Sequence, residues 1–228
     1  MSDLIDTTEM YLRTIFELEE EGLTPLRARI AERIGHSGPT VSQTVARMER
    51  DGLVVVEEDR HLRLTDKGRA RATQVMRKHR LAERLLTDVI GLDWPSVHDE
   101  ACRWEHVMSE DVERRLLEIL DHPAHSPYGN PIPGLAELGD EQPVADFMDG
   151  VIRLPEALAA GAKGPFRVVR LGENLQTSIA LMGELHAAGV HPGDMVEAQS
   201  EGGGVSVGGG AAKAHLSPDT ARHIFVAA

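Results

Sequence analysis

The chain has 228 residues, 41% of them hydrophobic, which is enough to bury more than one core, and a single cysteine, which excludes an internal disulfide. Its net charge of −13 at pH 7 excludes a uniformly basic coat for polyanions. No signal-peptide pattern and no run of about 18 apolar residues is present, so a soluble, cytoplasmic protein without a membrane partner is expected.

The charge is unevenly spread. Residues 1–21 hold seven acidic residues and one basic, whereas residues 22–71 hold ten basic and seven acidic. That second window is the only positive one. A local basic patch on an acidic protein neutralises phosphates where it sits, while acidity elsewhere suppresses non-specific binding.

In chain order, residues 3–21 read as an amphipathic helix, with Met10, Ile15 and Leu18 at helical spacing and Thr7 or Thr8 as N-cap. On periodicity alone Met10 is a core residue. A second helix runs from Leu26 to Ile34 and stops at Gly35. A third opens with Pro39 in its first turn and runs to about Arg50, so the pair forms a helix-turn-helix. In the third helix Val41, Val45 and Met48 share one side. Pro39, Gln43, Ala46 and Arg50 point away from it, flanked by Thr40 and Arg47. Glutamine can read a base edge, and threonine and arginine can hold phosphates.

Residues 52–65 read as two short strands around a Glu57-Glu58-Asp59 turn, the wing of a winged helix with Arg60 near its tip. A long helix follows from Thr65 or Asp66 to Gly91 and places His79 and Glu83 on one face. Asp93 to Ser96 then caps a further helix, read as continuous through Leu120. Apolar surface on these two long helices points to a symmetric dimer. His122 to Gly134 contains four prolines and reads as an ordered loop packed on the preceding domain, because Tyr128 and Ile132 would otherwise be exposed. Residues 139–150 read as an acidic linker. Beyond it, short strands at Phe166–Leu171, Met195–Gln199, Val205–Val207 and His223–Val226 surround one helix, Leu175–Ala188, as in a small β-barrel.

The chemistry concentrates in residues 98–106. At about 100° per residue, His98, Cys102, Glu105 and His106 fall within one arc of a helix. A lone cysteine usually packs as a small hydrophobe. Thiolate, imidazole and carboxylate together suit a divalent first-row transition metal and not magnesium or calcium.

Six stretches carry a resemblance: Thr7-Thr-Glu-Met-Tyr-Leu12, Arg27-Ala-Arg-Ile-Ala-Glu-Arg33, Ser37-Gly-Pro-Thr-Val-Ser-Gln-Thr-Val45, Met76-Arg-Lys-His-Arg-Leu-Ala-Glu-Arg-Leu-Leu86, Glu100-Ala-Cys-Arg-Trp-Glu-His-Val-Met-Ser109 and Gly129-Asn-Pro-Ile-Pro-Gly134. In this order the sequence resembles the diphtheria toxin repressor family, nearest its actinobacterial iron-dependent regulators. The match is dense over residues 1–138 and looser beyond, where Gly189-Val-His-Pro-Gly-Asp194 is similar to the family's SH3-like barrel.

The resemblance implies a mainly α fold with small β parts. Its domains are a winged helix-turn-helix DNA-binding domain (residues 1–72), a helical metal-binding and dimerisation domain (73–138), the linker (139–150) and an SH3-like β-barrel (151–228). The implied function is an iron(II)-activated transcriptional repressor of iron uptake, siderophore and iron storage genes, acting as a homodimer, one or two per operator, on a palindromic iron box in double-stranded DNA. Two metal sites per subunit are implied. The primary, activating site takes Met10, Cys102 with its backbone carbonyl, Glu105 and His106. The ancillary site takes His79, Glu83 and His98, with Glu173 and Gln176 from the barrel. The resemblance thus moves His98 out of the arc and Met10 out of the core.

The candidate DNA contacts are Arg27, Ser37, Pro39, Thr40, Ser42, Gln43, Arg47, Arg50 and Arg60. Cobalt, nickel, zinc or manganese should substitute for iron in vitro, and no small organic ligand is expected. The manganese-responsive branch of the family carries acidic residues near the Met10 and Cys102 positions, so both residues favour iron. A manganese regulator is the alternative within the family. A metal-dependent hydrolase is the alternative from another class, but it lacks an HExxH or similar motif here.

Overall fold

The structure, a computed structural model, describes residues 6–228, so the start of the first expected helix at residues 3–5 lies outside the described residues. Helix α1 spans Thr7–Glu20, and its N-cap is Asp6 in place of Thr7 or Thr8. The Asp6 carboxylate accepts from the backbone N–H groups of Thr8 (2.7 Å) and Glu9 (3.1 Å). One charged side chain thereby satisfies two unpaired donors at the positive end of the helix, which a threonine hydroxyl does less well.

Helix α2 spans Arg27–Ile34 and ends at Gly35 in the left-handed region (φ 66°). Helix α3 spans Gly38–Arg50, capped by Ser37. Strands β1 (Val54–Val56) and β2 (Leu62–Leu64) pair antiparallel with Val54 opposite Leu64. Arg60 stands at the exposed wing tip with φ 71°. These elements share one core in which Tyr11, Leu12, Ile15, Ile30, Val41, Val45, Met48 and Leu62 are buried. Helix α1 is therefore built into the DNA-binding domain and does not hang from it.

Helix α4 (Asp66–Leu85) widens into a π-helical turn, Leu86–Ile90, closed by left-handed Gly91. The helix expected to run through Leu120 is two helices, α5 (Val97–Trp104) and α6 (Glu110–Ile119). Ser109 caps α6 by accepting from the Val112 N–H, and Glu110, Asp111 and Glu113 follow in its first turn, where the helix dipole favours acidic residues. Glu105 and His106 consequently lie in a turn and not on the helical arc that the periodicity predicts.

Chain contacts divide the molecule into two compact units. The first comprises Met1–Ala82, Cys102–His122 and Ile132–Val144; the second comprises Glu83–Ala101, Pro123–Pro131 and Ala145–Ala228. The proline-rich loop is split between them. As expected, Tyr128 packs on the preceding helical segment, its ring 5.0 Å from that of Trp94 and its hydroxyl donating to the Trp94 carbonyl (2.8 Å). Its backbone and Asn130 also bond to the C-terminal sheet. The Leu171 N–H donates to the Tyr128 carbonyl (2.9 Å), and Asn130 Nδ2 donates to the Leu171 carbonyl (3.0 Å). Between them Gly129 (φ 81°) comes so close to strand backbone that a Cβ would meet the Val169 carbonyl oxygen at 2.0 Å. Buried Ile132 belongs to the first unit.

The second unit carries a six-stranded antiparallel sheet in the order β3-β8-β4-β5-β6-β7. Its strands are β3 (Val151–Arg153), β4 (Phe166–Leu171), β5 (Met195–Glu201), β6 (Gly204–Gly208), β7 (Ala214–Leu216) and β8 (Ile224–Ala227). Between β3 and β4 lies α7 (Leu154–Ala159), and α10 (Pro218–Ala221) precedes β8. The single helix expected over Leu175–Ala188 is two, α8 (Glu173–Gln176) and α9 (Ile179–Ala187), because Ser178 leaves helical geometry to cap α9. Phe147, within the stretch read as linker, is buried edge-on against Phe225 with centroids 5.1 Å apart.

Asp6 also pairs with Arg71 (2.8 Å). Partial burial opposes its ionisation, but the Glu9 and Thr8 N–H groups and the charge of Arg71 outweigh burial and hold its carboxyl below the ordinary value. Its stabilisation is therefore complete above the unfolded carboxylate value of about 3.9 and is lost as pH falls through the lower folded value. Asp6→Ala should cost about 1 kcal/mol at neutral pH. In urea unfolding at a series of pH values, the gap from wild type should close on acidification.

Candidate functional site

The first candidate centre lies where α1 meets the turn after α5, and all its groups belong to the first unit. From α1 come Glu9, Met10 and Arg13; from the end of α5 and its turn come Cys102, Glu105 and His106; from α4 comes His79. Glu105 is 2% exposed and His79 is fully buried. Arg13 Nη1 donates to Glu105 Oε2 at 2.7 Å and to Cys102 Sγ at 3.2 Å. His79 Nδ1 lies 2.7 Å from the same carboxylate oxygen. An ionised carboxylate can only accept, so His79 donates to it from Nδ1. The other Glu105 oxygen lies 3.4 Å from His106 Nε2, and Glu9 Oε2 lies 2.7 Å from His106 Nδ1.

Burial works against ionisation of Glu105. The Arg13 charge, the hydrogen bond from His79 and the charges of His79 and His106 overcome it, so its carboxyl is held below the ordinary value. Glu105 is thus an anion in a nearly dry place, surrounded by thiol and imidazole. Met10 packs beside the domain core, one turn before Arg13, with its carbonyl accepting from Thr14 Oγ1 (2.9 Å). The donor chemistry fits a first-row transition ion: one sulfur from Cys102, one buried carboxylate from Glu105 and one imidazole from His106, with a thioether within the same helical turn as Glu9.

The second candidate centre is in the second unit. His98 Nδ1 lies 3.0 Å from Gln176 Oε1 and 3.4 Å from carboxylate oxygens of both Glu83 and Glu173. One ligand atom each from Glu83, His98 and Glu173 falls within 4.8 Å of the others, and all three residues are buried. Glu173 and Gln176 begin and end the short helix α8, which puts both side chains on one face. Asn130 Nδ2, from the proline-rich loop, donates to Glu173 Oε1 (3.3 Å) and orients it. His79 lies four residues before Glu83 on α4.

The third candidate surface is on the winged helix. Ser37, Pro39, Thr40, Ser42, Gln43, Arg47, Arg50 and Arg60 are exposed, and Arg27 is half-buried at the start of α2. Ser37 Oγ is also engaged at the N-terminus of α3, 2.8 Å from Thr40 Oγ1.

Sequence reasoning missed Arg13 and Glu9, whose side chains reach the first centre. One signal was available for Arg13, the only basic residue among the first 21. Only the fold shows where that charge goes.

A winged helix-turn-helix with an exposed recognition face, joined to buried clusters of metal-ligating type, defines a metal-dependent DNA-binding regulator. The family described as "Iron dependent repressor, N-terminal DNA binding domain" matches residues 3–62, and "Iron dependent repressor, metal binding and dimerisation domain" matches residues 65–134. The chain is 63% identical over 209 residues to the iron-dependent repressor IdeR of Mycobacterium tuberculosis, covering 91% of this chain and 90% of that protein. It is 54% identical over 228 residues to the diphtheria toxin repressor of Corynebacterium diphtheriae, covering 99% of each. Among solved structures it is similar to T. acidophilum IdeR, with 28% identity, a TM-score of 0.72 and coverage of 97% of this chain and 98% of that one. The chain belongs to the iron-dependent repressor family, which consists of transcriptional repressors and not enzymes. Among the described residues, no helix is long and apolar enough to cross a membrane.

Glu105→Ala would leave the Arg13 guanidinium, 11% exposed, without its closest anion. Arg13 keeps its pairing with Glu17 (3.0 Å) but loses its charge-assisted bond to Glu105, so a loss of about 2 kcal/mol is expected in chemical unfolding of the metal-free protein.

Proposed function

We propose that the chain is an iron(II)-activated, sequence-specific repressor that binds a palindromic iron box as a homodimer, one or two dimers per operator. It acts in the cytoplasm on genes of iron uptake, siderophore synthesis and iron storage. The observation that carries this reading is the convergence of Cys102, Glu105 and His106 on α1, a helix built into the core of the DNA-binding domain.

The primary ligands are Met10, Cys102 with its carbonyl, Glu105 and His106. The ancillary ligands are His79, Glu83, His98, Glu173 and Gln176, giving two sites per subunit. When bound, the ion supplies a positively charged crosslink among the primary ligands. Everything else is done by the protein's own residues. Met10 ties that crosslink to α1, and α1 shares a core with α2, α3 and the wing. The primary ligands therefore bias the DNA-binding domain toward one orientation, and in a dimer the spacing of two recognition helices depends on that orientation. Sulfur at Cys102 and Met10 favours iron(II) over the harder manganese. Support also comes from the relatives: those named iron-dependent repressor IdeR match about nine-tenths of this chain.

On the DNA, Gln43 reads a base edge, Pro39 and Ser42 flank it, and Arg27, Ser37, Thr40, Arg47, Arg50 and Arg60 hold backbone.

A gel shift on a palindromic operator tests the reading, run with and without Fe(II) for wild type and Cys102→Ala. Wild type should require the metal, and the variant should bind at least about tenfold more weakly at the same iron concentration. Equal retention with and without iron would sink the proposal. In the same assay Gln43→Ala should lose about 1 to 3 kcal/mol of discrimination between operator and scrambled DNA, whereas Arg50→Ala should weaken both alike.

A further inference from the structure

We propose that Arg13 is a built-in cation of the primary centre. Its guanidinium holds the ligand set together and must be exchanged for the metal ion, so Arg13 sets how much metal is needed to activate the protein. The inference rests on the assignment of Cys102 and Glu105 as metal ligands made above.

Three observations carry it. First, a single nitrogen, Arg13 Nη1, is within hydrogen-bond distance of both Glu105 Oε2 (2.7 Å) and Cys102 Sγ (3.2 Å). Both atoms belong to residues assigned as primary ligands, so the positive group stands where their lone pairs converge. Second, Glu105 is 2% exposed. A carboxylate so buried needs a countercharge in every folded state, and a guanidinium provides one with directed hydrogen bonds. A dication drawing on the same carboxylate oxygen and sulfur faces both the repulsion of Arg13 and the loss of those bonds. Third, Arg13 has somewhere to remain. Its Nε lies 3.0 Å from Glu17 Oε1, one helical turn further along α1. Glu17 in turn pairs with Arg33 of α2 (3.2 Å), and Arg33 pairs with Glu21 (2.9 Å).

Exchange at Glu105 therefore shifts Arg13 from a shared position onto Glu17, whose other oxygen is held by the first helix of the helix-turn-helix. Arg13 is a positioning residue in this account. It competes with the ion and transmits the outcome of that competition along α1 to α2.

A purely structural Arg13 and a competing Arg13 predict opposite changes in metal affinity. Removing a structural strut loosens the site and weakens binding, whereas removing a competitor tightens it. The test is titration of the full-length protein with Co(II), following the near-ultraviolet thiolate-to-cobalt absorption that reports ligation by Cys102. Wild type, Arg13→Gln and Arg13→Lys are compared, with far-UV circular dichroism recorded on each. Arg13→Gln should bind Co(II) about tenfold more tightly than wild type and should show a larger cobalt-induced rise in Tm. Arg13→Lys keeps the charge with fewer directed bonds, folds more safely and should fall between the two.

Folded Arg13 variants that bind Co(II) as wild type does, or more weakly, would overturn the exchange while leaving the metal assignment intact. If wild type itself develops no thiolate absorption with Co(II), the ligand assignment fails and the inference falls with it.

Discussion

A buried carboxylate cannot be left without a cation, and the organisation of the first unit follows from that requirement at Glu105. The residue lies just past the end of α5, in a turn that exists because Ser109 restarts the helix five residues after Trp104. Had the helix continued, Glu105 and His106 would have kept helical positions. As it is, the turn brings them to α1, where Glu9 meets His106 and Arg13 meets Glu105. The Arg13 cation that sits on Glu105 is therefore also a tie between this turn and α1.

Helix α1 can act on this because it has two unlike faces. Tyr11, Leu12, Ile15 and Leu18 are buried in the winged-helix core and make α1 move as part of the DNA-binding domain. Glu9, Arg13 and Glu17 line the charged side, where the ion pairs run on to Arg33 and Glu21. Exposed ion pairs of this kind contribute little, but these are largely buried, and a buried pair is sensitive to the loss of either partner. The ion pairs and the domain core thus share a single helix, which is what the proposed coupling between the metal centre and the reading head requires.

The second unit solves a related problem with backbone. Gly129 lets the proline-rich loop lie directly on β4, and Asn130 then reaches both the Leu171 carbonyl and Glu173. The sheet therefore positions Glu173 and Gln176 of α8 around His98, along with Glu83. A helix of four residues would wander if left alone; here it is held between strand β4 and the loop.

The sequence by itself determined the winged helix, because Val41, Val45 and Met48 recur at helical spacing, Gly35 ends α2, and the alternation of Leu62-Arg63-Leu64 after the Glu57-Glu58-Asp59 turn marks a hairpin strand with one buried face. It also displayed the ligand types, with cysteine, histidine and carboxylate crowded into nine residues. It did not show the break after Trp104, since a serine cap competes with continued helix on nearly equal terms and tertiary contacts decide between them. It showed that Tyr128 is covered by the helical segment before it, but not that the backbone of the same loop bonds to β4, because backbone pairing leaves no side-chain pattern. Arg13 is the clearest case. In the sequence it is a lone basic residue in an acidic helix, equally able to face water or pair within α1. Only the fold brings Cys102 and Glu105, some ninety positions away, to its guanidinium, because contacts at that separation are set by packing the whole domain and leave no local pattern.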